Sequence, residues 1–160
     1  MSAPIISPSR AETAAADGAV VVAGYDGSQE SRMALAVAAQ RAGPHGTVVP
    51  VHVVQRASDW LGTPYYDREV EAEHHAGHAL LREIDDLDTG STTVEPELIE
   101  GEPAEALLRI AQSRGAREIV VGSRGLGRLR AILGSVSHAL LQQADRPVVI
   151  VPKGALDGDH

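Results

Sequence analysis

The stretch Val120-Val-Gly-Ser-Arg-Gly-Leu-Gly-Arg-Leu-Arg-Ala-Ile-Leu-Gly-Ser-Val-Ser137 decides how this chain is read. It begins at the end of an apolar run, Glu118 to Val121, that has the character of a buried strand. Gly122, Gly125 and Gly127 follow, and they let the backbone turn tightly and approach a ligand closely. Successive N–H groups in such turns form an anion-binding concavity. Gly134-Ser135 then opens a helix, whose N-terminus adds unpaired N–H donors and the positive end of a dipole. Ser135 and Ser137 add hydroxyls, and Arg124, Arg128 and Arg130 add local positive charge. Strand, glycine turn and helix N-terminus together suit a polyphosphate.

Strands and helices alternate on both sides of this segment. Upstream, Ala19 to Gly24 is a continuous apolar run, and Tyr25-Asp26-Gly27-Ser28 is a turn with Ser28 as helix cap. The sequence then predicts a helix over Ser31 to Arg41, stopped by Gly43-Pro44-His45-Gly46, and a strand over Thr47 to Val54. Gln55 to Tyr66, with Trp60, Gly62 and Pro64, reads as a long loop, and Trp60 as its anchor. Asp67 to Leu87 reads as a helix ended by Asp88-Thr-Gly-Ser91, and Thr92 to Ile99 as a strand that Pro96 confines to a sheet edge. Pro103 starts a third helix with the apolar stripe Ala104, Leu107, Leu108 and Ala111, ending at Gly115. Downstream, Ser135 to Gln143 is a fourth helix and Val148 to Val151 a fifth strand.

This alternation predicts an α/β fold: an open five-stranded parallel sheet with helices on both faces. With the third strand at an edge and right-handed crossovers, the expected strand order is 3-2-1-4-5. The order reverses between strands 1 and 4, and ligands of such sheets sit beyond the carboxyl ends of the strands at that point. The loops meeting there are Tyr25–Ser28 and Gly122–Ser135.

Composition narrows the function classes. The chain has 160 residues, 43% of them hydrophobic, which suits one folded domain. Residues 1–18 read as a flexible extension without a secretory pattern, 19–152 as the domain and 153–160 as a loose tail. A net charge of −8 disfavours nucleic acid, and no apolar run has the length of a membrane span. With no Cys there is no thiolate chemistry, which together with the missing secretory pattern leads to the expectation of a cytoplasmic protein. The phosphate-loop signature ending in Gly-Lys-Ser/Thr does not occur, and Gly24-Tyr-Asp-Gly27 does not match the dinucleotide fingerprint. Lys153 is the single lysine and no catalytic base stands out, so the sequence points to a binding protein with at most slow hydrolysis. Glu71, His74, His75 and His78 lie close on one helix, but His-Glu-x-x-His is not formed, and they read as a polar exposed face with no metal.

Several ordered pieces resemble the universal stress protein family, in its ATP-binding branch. They are Val-Val-Ala-Gly-Tyr-Asp-Gly-Ser28, Val51-His-Val-Val54, Gly101-Glu-Pro-Ala-Glu-Ala-Leu-Leu108, Val-Val-Gly-Ser-Arg-Gly-Leu-Gly127, Leu-Gly-Ser-Val-Ser137 and Ala144-Asp-Arg-Pro-Val-Val-Ile-Val151. The resemblance implies a Rossmann-like fold of the adenine nucleotide alpha hydrolase type. It also implies ATP as ligand, with Mg²⁺ as a companion, and a regulatory role in stress response. Gly24, Tyr25 and Asp26 would meet base and ribose, with Asp26 the key acid, and Val53 would lie against the adenine. Val121, Gly122, Ser123, Arg124, Gly125, Leu126, Gly127 and Arg128 would wrap ribose and phosphates, and Gly134, Ser135, Val136 and Ser137 would complete the phosphate cradle. The family motif is Gly-x2-Gly-x9-Gly-Ser/Thr, whereas eight residues separate Gly125 from Gly134, so this loop is one residue short at its phosphate end. The resemblance further implies a homodimer through Val148–Val151. The competing readings are a nucleotide-free dimeric interaction module and a slow ATPase.

Overall fold

A computed structural model describes residues 18–55, 63–123 and 133–153. Its elements in chain order are β1 (Val20–Gly24), α1 (Gln29–Ala42), β2 (Thr47–Val54), α2 (Thr63–Arg82), a 3₁₀ turn (Glu83–Asp86), β3 (Thr93–Val94), β4 (Glu97–Glu100), α3 (Pro103–Ser113), β5 (Glu118–Gly122), α4 (Ser135–Gln143) and β6 (Val148–Val151). Every strand pairing is parallel. The sheet runs β3-β2-β1-β5-β6, with β4 also on β2. This is the expected order, with β3 and β4 as the two halves of the third strand.

The split has a covalent cause. Val48 stands level with Val94 and Val51 with Glu97, the same offset on both sides of the break. Pro50 and Pro96 are therefore level with each other. Thr93, Glu95 and Gly101 donate to Gly46, Val48 and Val54, so on this alternation Pro50 is the residue whose missing N–H falls on the ladder, while Pro96 stands on the outer edge. The strand keeps its register and loses only hydrogen bonds.

Alternation along the strands sorts the core onto two faces. Val21, Ala23, Val48, Val120 and Val151 pack with α1, Leu81 and Ile84. Val22, Val49, Val51, Ile119 and Val121 pack with α3 and with Leu140 of α4. Leu35, Leu107, Ile119 and Leu140 are fully buried, and truncating such a side chain to Ala costs roughly 2–5 kcal/mol.

Helix ends follow their local chemistry. Ser28 caps α1 by accepting the Ser31 N–H at 3.1 Å. α1 begins at Gln29, two residues earlier than the sequence predicts, because this cap fixes its start. α2 begins at Thr63, four residues before the expected Asp67, with Pro64 in the first turn, where its missing N–H costs nothing. The predicted loop is shortened accordingly, and residues 56–62, Trp60 among them, lie outside the described residues. Glu102 caps α3 ahead of Pro103, and Arg146 closes its far end by donating to the carbonyls of Ala111 and Ala116.

At the amino end of the sheet, Glu118 is 96% buried by its side chain yet ionised, because Arg41 grips it with two bonds of 2.6 Å. Burial pushes this carboxyl up, but Arg41 and then Arg117 outweigh burial and hold it below the usual carboxylate range. The pair therefore stabilises the fold above the ordinary carboxylate pKa, and the contribution is lost as pH falls through the depressed folded-state value. Arg41→Ala is expected to lower the unfolding free energy at pH 7 by about 2–3 kcal/mol. Urea titrations across the acid range should show the gap between wild type and variant closing as Glu118 protonates.

Candidate functional site

The carboxyl ends of β1 and β5 lie side by side, Ala23 level with Val120, while the chain leaves them towards opposite faces. The crevice between them is built from two turns.

The first turn follows β1. The Tyr25 N–H donates to the Val51 carbonyl at 2.9 Å, which carries β1 pairing one residue past the strand. The Tyr25 ring turns into the α1/α2 core and is 3% exposed, with its hydroxyl unpartnered, so it is backbone that Tyr25 offers the crevice. Asp26 is half-buried, and its Oδ1 accepts the Ser28 N–H at 3.0 Å. The Asp26 N–H points to Ser31 Oγ at 3.3 Å, and that hydroxyl donates to the Ser28 carbonyl at 2.9 Å. Gly27 has φ +78°, and a Cβ there would fall 2.5 Å from Leu80 Cδ1 of α2. The turn thus needs glycine for its backbone and for the close approach of α2. Gly24 and the half-buried Val53 sit at the ends of β1 and β2 on the α3/α4 side, where a Cβ on Gly24 would meet Val121 Cγ1 at 3.1 Å.

The second turn follows β5. Ser123 extends the pairing by donating its N–H to the Val151 carbonyl at 2.8 Å. Its own carbonyl accepts the Gly134 N–H at 2.8 Å and the Ser137 hydroxyl at 3.2 Å. These two bonds tie the entry of α4 to the end of β5. Gly134 is the N-cap of α4 and no side chain caps the helix, so the N–H groups of Ser135, Val136 and Ser137 have no intrahelical partner. Ser135 is exposed, Val136 half-buried and Ser137 2% exposed. The Ser137 hydroxyl is already spent on backbone, whereas Ser135 projects from the helix start. Such a terminus attracts an anion.

Val121, Gly122 and Ser123 are therefore placed at the crevice with Gly24, Tyr25, Asp26 and the start of α4. Arg124, Gly125, Leu126, Gly127, Arg128 and Arg130 lie outside the described residues. The residues that hold the Asp26 turn were not singled out by sequence reasoning: His52, whose Nδ1 meets the Tyr25 carbonyl at 2.8 Å, Ser31 and Leu80. His52 stands inside the quoted Val51–Val54 piece, but its partner is distant in sequence.

The histidine-rich face of α2 divides between one contact and exposed side chains. His74 faces Glu100 of β4 at 3.8 Å, and His75 and His78 are exposed. Among the described residues no three His, Asp or Glu side chains converge to hold a metal. Among the same residues no helix is long and apolar enough to cross a membrane.

Fold and crevice define a doubly wound α/β protein. The sequence profile of the Universal stress protein family matches residues 19–152, and the chain belongs to that family. It is 34% identical over 133 residues to a universal stress protein of Thermus aquaticus, covering 82% of this chain and 96% of the relative. It is 33% identical over 147 residues to one from Mycobacterium tuberculosis, covering 82% and 94%. A Mycolicibacterium smegmatis relative, 35% identical over 140 residues, is matched over only 47% of its own length. Among solved structures, a universal stress family protein from Burkholderia pseudomallei superposes with TM-score 0.65 at 29% identity, covering 84% of this chain and 96% of that one. A universal stress protein in complex with cAMP superposes with TM-score 0.64 at 28% identity, covering 84% and 97%.

The two serines at the start of α4 are expected to separate experimentally. Ser137→Ala should lower stability by about 1 kcal/mol and speed amide exchange at Gly134, because it removes a buried bond to the Ser123 carbonyl. Ser135→Ala should leave both unchanged. Equal effects from the two variants would show that Ser137 does not hold this turn.

Proposed function

We propose that this chain binds an adenine nucleotide, ATP foremost, in the crevice between β1 and β5, and that occupancy serves a regulatory role in stress response. The observation that carries the reading is the α4 N-terminus. It has no side-chain cap, it is tied to the end of β5, and it lies across the switch point from the Asp26 turn. Three N–H donors without an intrahelical partner and a positive dipole end suit phosphates, and a half-buried carboxylate on the opposite wall suits ribose hydroxyls. The cAMP-bound relative supports an adenine nucleotide as the ligand class. In this reading Gly24, Tyr25 backbone, Asp26 and Val53 take the nucleoside, and Val121 to Arg128 with Gly134 to Ser137 take the phosphates. Mg²⁺ accompanies a triphosphate as a phosphate-bound ion.

The same reading makes the protein a cytoplasmic homodimer paired through β6. Val148, Val149 and Ile150 are half-buried on that short edge strand, and Leu141 of the adjoining α4 is 54% exposed. An unpaired apolar edge favours association.

Calorimetric titration of ATP with Mg²⁺ into nucleotide-stripped protein is expected to give micromolar binding. Asp26→Ala and Gly122→Ala should each weaken it by about tenfold or more, the worth of one lost charged hydrogen bond or of a forced displacement of the backbone. No heat and no thermal stabilisation at millimolar ATP would overturn the reading, and the one-residue-short glycine loop would then favour a nucleotide-free interaction module.

A further inference from the structure

We infer that His52 is a positioning residue for the proposed nucleotide site, fixing the Asp26 turn to the strand that carries Val53. The inference rests on the nucleotide-site reading for its functional consequence, while the hydrogen bond it invokes is a property of the fold.

Both backbone polar groups of Tyr25 are tied to consecutive residues of β2. Its N–H donates to the Val51 carbonyl at 2.9 Å, and its carbonyl meets His52 Nδ1 at 2.8 Å. A carbonyl only accepts, so Nδ1 carries the proton. That bond is made just where β1 ends and backbone pairing with β2 stops, so a side chain takes over from the ladder. Without it, the Tyr25 carbonyl would lose its tie to the sheet, and the last bond to β2 before Asp26 would be that of the Tyr25 N–H, since the Ser28 and Ser31 bonds order the turn internally. His52 adds a second tie between the residue before Asp26 and the strand that carries Val53, and the two must be fixed relative to each other to read one nucleoside.

The ring itself is locked. His52 lies on the α1/α2 face of β2, under Gly77 of α2. A Cβ at Gly77 would fall 2.6 Å from Leu98 Cδ1 and 3.0 Å from His52 Cδ2. Gly77 lets α2 approach closely enough to hold the imidazole in one orientation. The same helix presses Leu80 on Gly27 and packs Leu81 with Tyr25. α2 thus braces the Asp26 turn directly and through His52, although its own residues stand behind the crevice wall.

The test uses His52→Phe, which keeps a ring but loses the donor, and His52→Asn, whose amide N–H can take the place of Nδ1–H. Long-range proton–nitrogen NMR of the wild-type protein should show the proton of His52 on Nδ1. Amide shifts of Tyr25 to Ser28 should move in His52→Phe and return towards wild type in His52→Asn. ATP affinity should fall about tenfold in His52→Phe and recover to within about threefold in His52→Asn, as one neutral hydrogen bond is worth. Inorganic tripolyphosphate, which lacks the nucleoside, should bind wild type and His52→Phe alike, a separation that general destabilisation would not produce. A proton on Nε2 in the neutral ring, unmoved turn amides in His52→Phe, or equal losses of ATP and tripolyphosphate would each overturn the inference. If wild type binds no ATP, the nucleotide reading fails, and the NMR measurements alone decide whether His52 holds the turn.

Discussion

Parallel pairing of β1 with β5 is the constraint on which the rest of the molecule depends. The two strands stand next to each other although the chain between them makes three excursions through helices. α1 and α2 fall on one face and α3 and α4 on the other, the distribution that crossovers of one hand require of this strand order. Val21, Val22, Ala23, Ile119 and Val120 are inaccessible to water, so the pairing is buried on both sides and resists slipping. Where the two strands end, their continuations diverge towards opposite faces. The crevice is a consequence of that divergence, and its lining is backbone before it is side chain.

The two ends of the sheet are built on different physics. At the amino end, Glu118 is buried and fully paired with Arg41, an arrangement that closes the structure and leaves nothing to bind. At the carboxyl end, hydrogen-bonding capacity is left over. The α4 N-terminus has no side-chain cap, and Asp26 commits Oδ1 to its own turn while no described bond reaches Oδ2. Among the described residues, donors on one wall and an acceptor on the other give the crevice its polarity. The same end is also stiff: Ser123 is fixed by Val151, Gly134 and Ser137, and Tyr25 by Val51 and His52. Preorganised polar groups on a rigid frame are what a recognition site needs, since little ordering remains to oppose binding.

Much of the frame was legible because its signals are local. Ser28 and Pro103 announce helix starts, Gly43 and Gly115 helix ends, and Thr47–Val54, Ser135–Gln143 and Val148–Val151 fall where apolar runs and glycine breaks put them. The less legible element was α2. Its first turn contains Pro64 amid residues that also suit a loop, and only packing along Gly77, Leu81 and Ile84 makes the long helix worthwhile. Pro96 marked the third strand as irregular, but that its break lies opposite Pro50 required the register.

The sequence by itself determined the parallel α/β architecture, the order of its strands and the identity of the two turns that bound the crevice, because periodicity, caps and glycine breaks act within a few residues of where they are read. The tertiary structure alone decided which polar atoms remain available there. Ser135 and Ser137 look equivalent in the chain, yet one projects from the helix and the other is consumed by the Ser123 carbonyl. Tyr25 reads as a site residue, yet its ring belongs to the core. His52 reads as one more strand residue, yet it carries the bond that ties the Asp26 turn to the sheet. Those outcomes depend on contacts between residues far apart in sequence, and no local pattern encodes them.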